Sequence, residues 1–251
     1  MTKNLIISTF KIPTEECQMF TLVLIRHGGS KWNIENRFQG WADIDLSEKG
    51  YKEANRAGNL LKKNGFTFDI SFTSFLKRAI KTNTIILEVL DLLYIPVYKH
   101  WRLNERHYGA LMGQNKDDMR KKVGKEQVRK WRRSFDISPP ALEESDERHP
   151  KYDPKYKMLP HELLPKTESI KLAIERIMPF WEIKIMPEIL YGKKVLVTAH
   201  GSTLRAIMKY LDKMDGEKIA KVEIPTGIPL VYELDKNLSP IKKYYLDADL
   251  Q

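Results

Sequence analysis

One cysteine, Cys17, is all that the 251 residues contain, so no internal disulfide can form and the chain suits a reducing compartment, read here as the cytoplasm. Long apolar runs are missing too. "TLVLI" and "VLVTA" fall far short of the roughly 20 residues that a membrane span requires. The opening "MTKNLIISTFKIPTEE" has a brief apolar patch, but Lys11, Glu15 and Glu16 follow without a small-residue cleavage site, which argues against a secretory signal. No segment is of low complexity, and the only internal echo is between "LIRHGG" and "VTAHGS". Disulfide scaffolds, membrane spans and repeat arrays are set aside on these grounds.

What is present describes a globular protein: 42% hydrophobic and 30% charged residues, at a length that fits one domain with an insertion. The formal net charge of +10 points to an anionic partner. Nucleic acid usually leaves a dense Lys/Arg stripe or a recognised module, and neither is found. Pairs such as Lys62-Lys63, Lys121-Lys122 and Arg132-Arg133 read, taken singly, as solvated helix faces. A small polyanionic substrate explains the excess equally well.

Hydrophobic periodicity gives an alternation of strands and helices. The run at 21–25 reads as a buried strand, and Ser47 as the N-cap of a helix with Tyr51, Ala54, Gly58 and Leu61 on one face. "FDISFTS" alternates like a strand. Ala79, Ile86, Leu87 and Leu90 line a second helix that Pro96 ends. From about 104 to 166 the pattern loosens into short basic helices and a proline-punctuated polar stretch, expected to be a functional insertion or lid. Ile170, Ile174, Ile177 and Trp181 restore helical spacing, with a kink expected at Pro179. "VLVTA", "PLVYEL" and "IKKYYL" follow as strands. The predicted fold is α/β: a three-layer α/β/α sandwich around a mostly parallel mixed sheet. Residues 1–20 are expected to be a flexible N-terminal extension before a single catalytic domain over 21–251.

Two strands end on histidine followed by glycine: His27-Gly28 and His200-Gly201. In open α/β sheets ligands bind beyond the carboxyl ends of the strands. Glycine there lets the backbone turn sharply and approach an anion. Arg26, just past a buried strand, needs an anionic partner and matches phosphate oxygens bidentately. Either histidine alone would read as a hydrogen-bonded structural side chain; the pair suggests a phosphate site.

"LIRHGGSKWN" resembles the signature of the histidine phosphatase superfamily. "TSFLKRAIKT", "WRLNERHYGALMGQNK", "WRRSFD", "AHGSTLRA" and "PTGIPLVYEL" are similar, in order and spacing, to cofactor-dependent phosphoglycerate mutases. The resemblance covers about 21 to 246 and implies a phosphoglycerate mutase-like fold. By it, His27 is the nucleophile that becomes a phosphohistidine. Arg26, Arg78 and His200 surround the phosphoryl oxygens, and Glu105 is the general acid and base. Nearby arginines would lower the pKa of Glu105 and burial would raise it, a balance the sequence leaves open. Ser30 and Asn33 are expected to touch phosphate or glycerate hydroxyls, with Gln39, Gly40, Gly201 and Ser202 lining the pocket. Tyr108, Lys116, Arg132 and Arg133 are expected to bind the carboxylate and distal phosphate. His100, His107, His149 and His161 read as structural or exposed.

The resemblance implies interconversion of 3-phosphoglycerate and 2-phosphoglycerate, primed by 2,3-bisphosphoglycerate without a metal, in a homodimer or dimer of dimers that binds small phosphorylated glycerates and neither nucleic acid nor membrane. The alternatives are a broad small-molecule phosphatase and a non-catalytic anion-binding relative. Three departures from the family pattern stand out. Gly29 replaces a glutamate, which removes a negative charge but loosens the loop by up to about 1 kcal/mol. Ser202 replaces an asparagine, and the chain stops at "YYLDADLQ" without the basic tail of many relatives. The shorter end is expected to admit water and raise hydrolysis. A hydroxyl at Ser30, where bisphosphoglycerate-making relatives tend to have glycine, is expected to favour the mutase.

Overall fold

The apolar run at 21–25 lies near the middle of a six-stranded sheet in the computed structural model, which describes residues 19–246. The expected N-terminal extension, apart from its last two residues, and the end of the chain after 246 lie outside the described residues. In chain order the elements are β1 (Phe20–Arg26), α1 (Lys31–Ile34), α2 (Glu48–Lys63), β2 (Ile70–Thr73), α3 (Lys77–Val89) and β3 (Val97–Lys99). The insertion contributes α4 (Lys116–Val123) and α5 (Lys125–Arg133). Then follow α6 (Ile170–Phe180), α7 (Met186–Leu190), β4 (Val195–Ala199), α8 (Gly201–Leu211), α9 (Gly216–Lys221), β5 (Leu230–Leu234) and β6 (Pro240–Tyr245).

The strands run in the order β3-β2-β4-β1-β5-β6. β3, β2, β4 and β1 pair in parallel; β5 and β6 join antiparallel, giving the expected mixed, mostly parallel sheet. Its layers follow from strand alternation. Leu22 and Leu24 pack with Trp181, Ile185, Leu204 and Ile207 under α6 to α8, while Val23 and Ile25 pack with Ala57, Leu61, Ile86 and Leu87 of α2 and α3. β4 is buried at all five residues because helices cover both of its faces.

Ser47 caps α2, its Oγ accepting the Gly50 N–H at 3.0 Å. Pro179 lies inside α6, and the helix continues as a π-helical turn, Trp181–Ile185, before α7. Proline cannot donate to the i−4 carbonyl and crowds the turn before it, so the ladder widens locally. The expected kink is this turn, and it buries Trp181 and Ile185 fully.

Three local readings change. β3 was not foreseen: it is a three-residue edge strand, exposed throughout, and only pairing with β2 defines it. Tyr51 does not join the apolar face of α2; its hydroxyl meets Asp45 and Lys81 at the surface. The insertion, read as short basic helices and a polar stretch, also carries apolar packing of its own. Met112, Leu142, Tyr156 and Leu164 form a satellite cluster with Trp41 and Trp101 of the main body. Among the described residues no helix is long and apolar enough to cross a membrane.

The turn after β1 is pressed against α2. A Cβ on Gly50 would lie 2.0 Å from the Gly29 carbonyl oxygen, and one on Gly28 would lie 2.3 Å from that of Gly50. Gly50→Ala must therefore push the His27 loop off the helix, at an expected cost of about 1–3 kcal/mol. A urea-unfolding midpoint equal to wild type would contradict this contact.

Candidate active site

Register brings the two histidines together. β1 and β4 are parallel neighbours in which Arg26 pairs with Ala199, and the His27 N–H donates to the Ala199 carbonyl at 2.9 Å. The next residue on each strand is a histidine, so the imidazoles leave the sheet side by side, with ring centroids 5.0 Å apart at 59°. His200 also serves as the N-cap residue of α8, so Gly201 and Ser202 open that helix beside it.

The hydrogen bonds of His27 fix its tautomer. Nδ1 lies 2.7 Å from the Gly28 carbonyl, an oxygen that can only accept, so Nδ1 carries the proton and Nε2 keeps its lone pair. Burial, with Arg78 and Arg26 nearby, holds the imidazole well below its usual pKa and therefore neutral. A neutral nitrogen with a free lone pair is the form a nucleophile needs. His200 Nε2 sits 2.7 Å from Ser74 Oγ, and the buried Nδ1 has no partner. Burial, then Arg78, His27 and Arg26, keep His200 neutral as well.

The arginines are oriented by backbone oxygens. Arg78 donates from Nη1 to the Ala42 carbonyl and from Nη2 to that of Gly40, both at 2.8 Å. Gly40 has φ +54, and a Cβ there would come within 3.0 Å of Tyr108 N, so the Arg78 anchor depends on glycine. Arg26 donates to the Ile224 carbonyl at 2.8 Å and Arg205 to that of Val222 at 2.9 Å. Burial pushes Arg78 and Arg205 down to about 10, which leaves both charged at neutral pH. The Nε atoms of Arg26 and Arg78 are buried without partners, and such donors call for an acceptor.

Glu105 settles the balance left open above. Burial pushes its carboxyl up, but hydrogen bonds from the Ser202 and Arg106 N–H groups, with Arg26 and Arg205, outweigh it and hold the pKa below the usual range. Oε1 accepts from Arg106 N at 2.8 Å and Ser202 N at 3.2 Å. Trp41 Nε1 and Arg176 fix the main chain here by donating to the Glu105 carbonyl at 2.7 and 3.2 Å. Arg176 is itself clamped by buried Glu168 at 2.6 Å.

Arg26, His27, Asn33, Gln39, Gly40, Arg78, Glu105, Tyr108, Lys116, Arg132, Arg133, Gly201 and Ser202 line one cavity of about 190 Å³. His200, also expected here, is fully buried and is not itself in the lining; it packs against His27, which is. Ser30 is the correction. It does not line the cavity; fully buried, it caps α1, with Oγ accepting Asn33 N at 3.2 Å while Asn33 Oδ1 accepts Ser30 N at 2.9 Å. Gly29 is also outside the lining. Its N–H donates to Glu53 at 2.8 Å, and a Cβ there would face Glu53 and Ser47. His107 and His149 are buried, His100 stacks on Phe180 at 4.0 Å and His161 stacks on His149.

The cavity also uses Arg37, Phe38, Arg106, Ile170, Arg205 and Glu223. A sequence signal existed for Arg205, one helical turn after Gly201. Isolated charges such as Arg37 and Glu223 carry none. Among the described residues eight basic side chains face two carboxylates, an arrangement for a ligand with more than one negative charge. Among the described residues no group of three or more His, Cys, Asp or Glu is placed to hold a metal ion.

Residues 22–148 and 141–245 match the family profile of the histidine phosphatase superfamily, branch 1. Similar solved structures include a mycobacterial glucosyl-3-phosphoglycerate phosphatase, 21% identical over 90% of this chain and 97% of that one, with TM-score 0.65. The alpha-ribazole phosphatase of Shigella flexneri is 20% identical, covering 88% and 94%, with TM-score 0.65. YhfR of Bacillus stearothermophilus is 24% identical, covering 86% and 91%, with TM-score 0.63. At these identities the likeness is one of fold.

Burial beside two guanidinium groups predicts that His27 is a neutral Nδ1–H tautomer in the ligand-free protein at pH 6.5 and well below. Nitrogen NMR of histidine-labelled protein checks this, and a protonation midpoint for His27 near 6.5 would contradict it.

Proposed function

The chain belongs to the histidine phosphatase superfamily, and we propose that within it the protein is a phosphoglycerate mutase that interconverts 3-phosphoglycerate and 2-phosphoglycerate through a phosphohistidine at His27. The observation that carries this reading is that one cavity draws cations from two parts of the chain. Arg26 and Arg78 accompany His27, while Lys116, Arg132 and Arg133 come from α4 and α5 of the insertion. Burial, with Arg132 and Arg26, pushes the Lys116 ammonium down to about 8, a sign of how closely the two sets approach. A simple phosphate monoester needs only the set beside His27. A phosphorylated glycerate brings a carboxylate or a second phosphate for the insertion's cations, the outer set.

In the loaded enzyme the free hydroxyl of the phosphoglycerate gives its proton to the Glu105 carboxylate and attacks the phosphorus carried on Nε2 of His27; an O–P bond forms, the N–P bond breaks and the glycerate holds two phosphates. In the return step the freed Nε2 attacks the phosphorus of the other phosphate, the N–P bond forms again, the P–O bond to the glycerate breaks and Glu105 gives its proton to the leaving oxygen, which releases the isomer and leaves His27 loaded. Arg26, Arg78 and the Nδ1 side of His200 hold the equatorial oxygens, where charge is spread in the transition state. Glu105 rests as a carboxylate, so it must take up a proton before it serves as acid, and an incoming phosphate dianion favours that uptake by raising its pKa. The unpaired buried donors and the excess of cations fit 2,3-bisphosphoglycerate. When bound, that molecule supplies the phosphoryl group that first loads His27.

A second reading, hydrolysis of small phosphate esters, is favoured by the names of two of the similar structures, both phosphatases. The two readings share the phosphohistidine and differ in what discharges it: a glycerate hydroxyl or water.

Incubation with 2,3-bisphosphoglycerate should add one acid-labile phosphoryl group to the intact mass, and none to His27→Ala. Under the mutase reading, 3-phosphoglycerate then discharges the loaded enzyme at least about ten times faster than water alone, the margin that one to two charge-assisted contacts can supply. Equal discharge with and without glycerate would leave the phosphatase reading in its place. Arg132→Ala should raise KM for 3-phosphoglycerate by about tenfold or more, with little change for p-nitrophenyl phosphate, which lacks a second anion. A KM for 3-phosphoglycerate within twofold of wild type would remove the outer anion site.

A further inference from the structure

Three consecutive residues, Val222 to Ile224, each hold one arginine of the cavity. Arg205 donates to the Val222 carbonyl, Arg26 donates to the Ile224 carbonyl, and between them the Glu223 carboxylate takes Arg133. The two carbonyl anchors orient their guanidinium groups without cancelling charge. The middle anchor is different, because an ionised carboxylate neutralises the cation it holds. Glu223 lines the cavity together with Arg133, and its charge also acts on Arg132. Apart from Glu105, it is the only carboxylate in the lining among the described residues.

We infer that Glu223 is an internal competitor for the second anion of the substrate: it occupies Arg133 in the ligand-free cavity and is exchanged for the substrate's carboxylate or distal phosphate on binding. The inference rests on the proposed function in one respect, the use of the outer set of cations by a second anionic group. Its physical basis is the position of the pair. Arg133 is the last residue of α5, on the insertion, whereas Glu223 follows α9 on the main body, so the contact joins two parts of the chain within the cavity lining. The Glu223 side chain is 73% exposed, so the pair is weak enough for a ligand to displace. Exchange conserves the number of charge-assisted bonds to Arg133 and returns Glu223 to water. Ligands with a single anionic group, which sit at His27, do not need the exchange. Glu223 thus lowers affinity for the two-ended ligand and leaves that for the one-ended ligand alone, which makes it a residue that sets specificity without touching the reacting atoms.

The test compares dissociation constants by calorimetry for wild type, Glu223→Gln, Arg133→Gln and the double variant, with three probes: inorganic phosphate, pyrophosphate and 3-phosphoglycerate. Glu223→Gln keeps the size and hydrogen-bonding reach of the side chain and removes its charge, and at so exposed a position it leaves folding intact, which a thermal melt checks. The expected result is binding of pyrophosphate and 3-phosphoglycerate about three- to fivefold tighter in Glu223→Gln, the range an exposed ion pair can withhold, with inorganic phosphate changed less than twofold. In the Arg133→Gln background the same change should tighten these two probes less than twofold, since the competitor then has no ion-pair partner and acts on Arg132 only through its field. Unchanged or weaker binding of both two-ended probes in Glu223→Gln overturns the inference, as does equal tightening of inorganic phosphate, which would mean a general field effect. Failure of the mutase reading looks different: 3-phosphoglycerate would not bind wild type, while pyrophosphate would still report on the Glu223 exchange.

Discussion

The single hydrogen bond from the His27 N–H to the Ala199 carbonyl, at 2.9 Å, marks the constraint on which the site depends. It continues the parallel ladder of β1 and β4 one residue past the Arg26–Ala199 pair, and so fixes the relative height at which the two strands release their histidines. A slip of one residue would send one imidazole to the other face of the sheet. The burial of Leu22 to Ile25 and of all five residues of β4 is what makes such a slip costly. Core packing and catalytic geometry are thus one problem here: the layers that hide apolar side chains on both faces also hold two rings at 5.0 Å.

Around that pair the protein spends main-chain oxygens rather than carboxylates. Arg78 on Gly40 and Ala42, Arg26 on Ile224, Arg205 on Val222 and Arg106 on Trp131 all keep their positive charge facing inward. A guanidinium paired with a carboxylate would be easier to bury but would present almost no net field to a phosphate. The cost appears in the depressed pKa of Arg78, Arg205 and Lys116, and in donors that find no partner among the described residues. These groups are destabilising until an anion pairs with them.

Much of this was legible from residue order, and the reasons it was not complete are local. β1 and β4 could be read because strands buried on both faces are uniformly apolar, and the histidines because they interrupt that pattern abruptly. β3 could not, since three exposed residues at a sheet edge carry no periodicity. Ser30 reads as a ligand contact through the resemblance, but a serine before a short helical turn has a competing use as its cap, and the reciprocal bonds with Asn33 show that use prevailing. The direction of the Glu105 shift depended on two backbone N–H groups, one from Ser202 some hundred residues away, and a sequence does not reveal such a contact. Glu223 was invisible for the same reason: an isolated charge acquires meaning only when folding sets it across from Arg133.

The position of Glu105 illustrates how the insertion and the sheet are coupled. Its carboxylate is tied to the start of α8 through Ser202, while its carbonyl is tied to Trp41 and, through Arg176, to Glu168, which also accepts the His107 N–H at 2.8 Å. Leucine or alanine at 168 would leave the Arg176 guanidinium buried without its counter-ion, a penalty that falls on the main chain of Glu105 rather than on His27. Positioning of His27 is therefore a property of strand register, whereas positioning of Glu105 is a property of a buried ion pair behind the cavity. Two supports of different physical kind, one built from apolar layers and the other from charge, meet at one cavity, and damage to either displaces a different side chain of its lining.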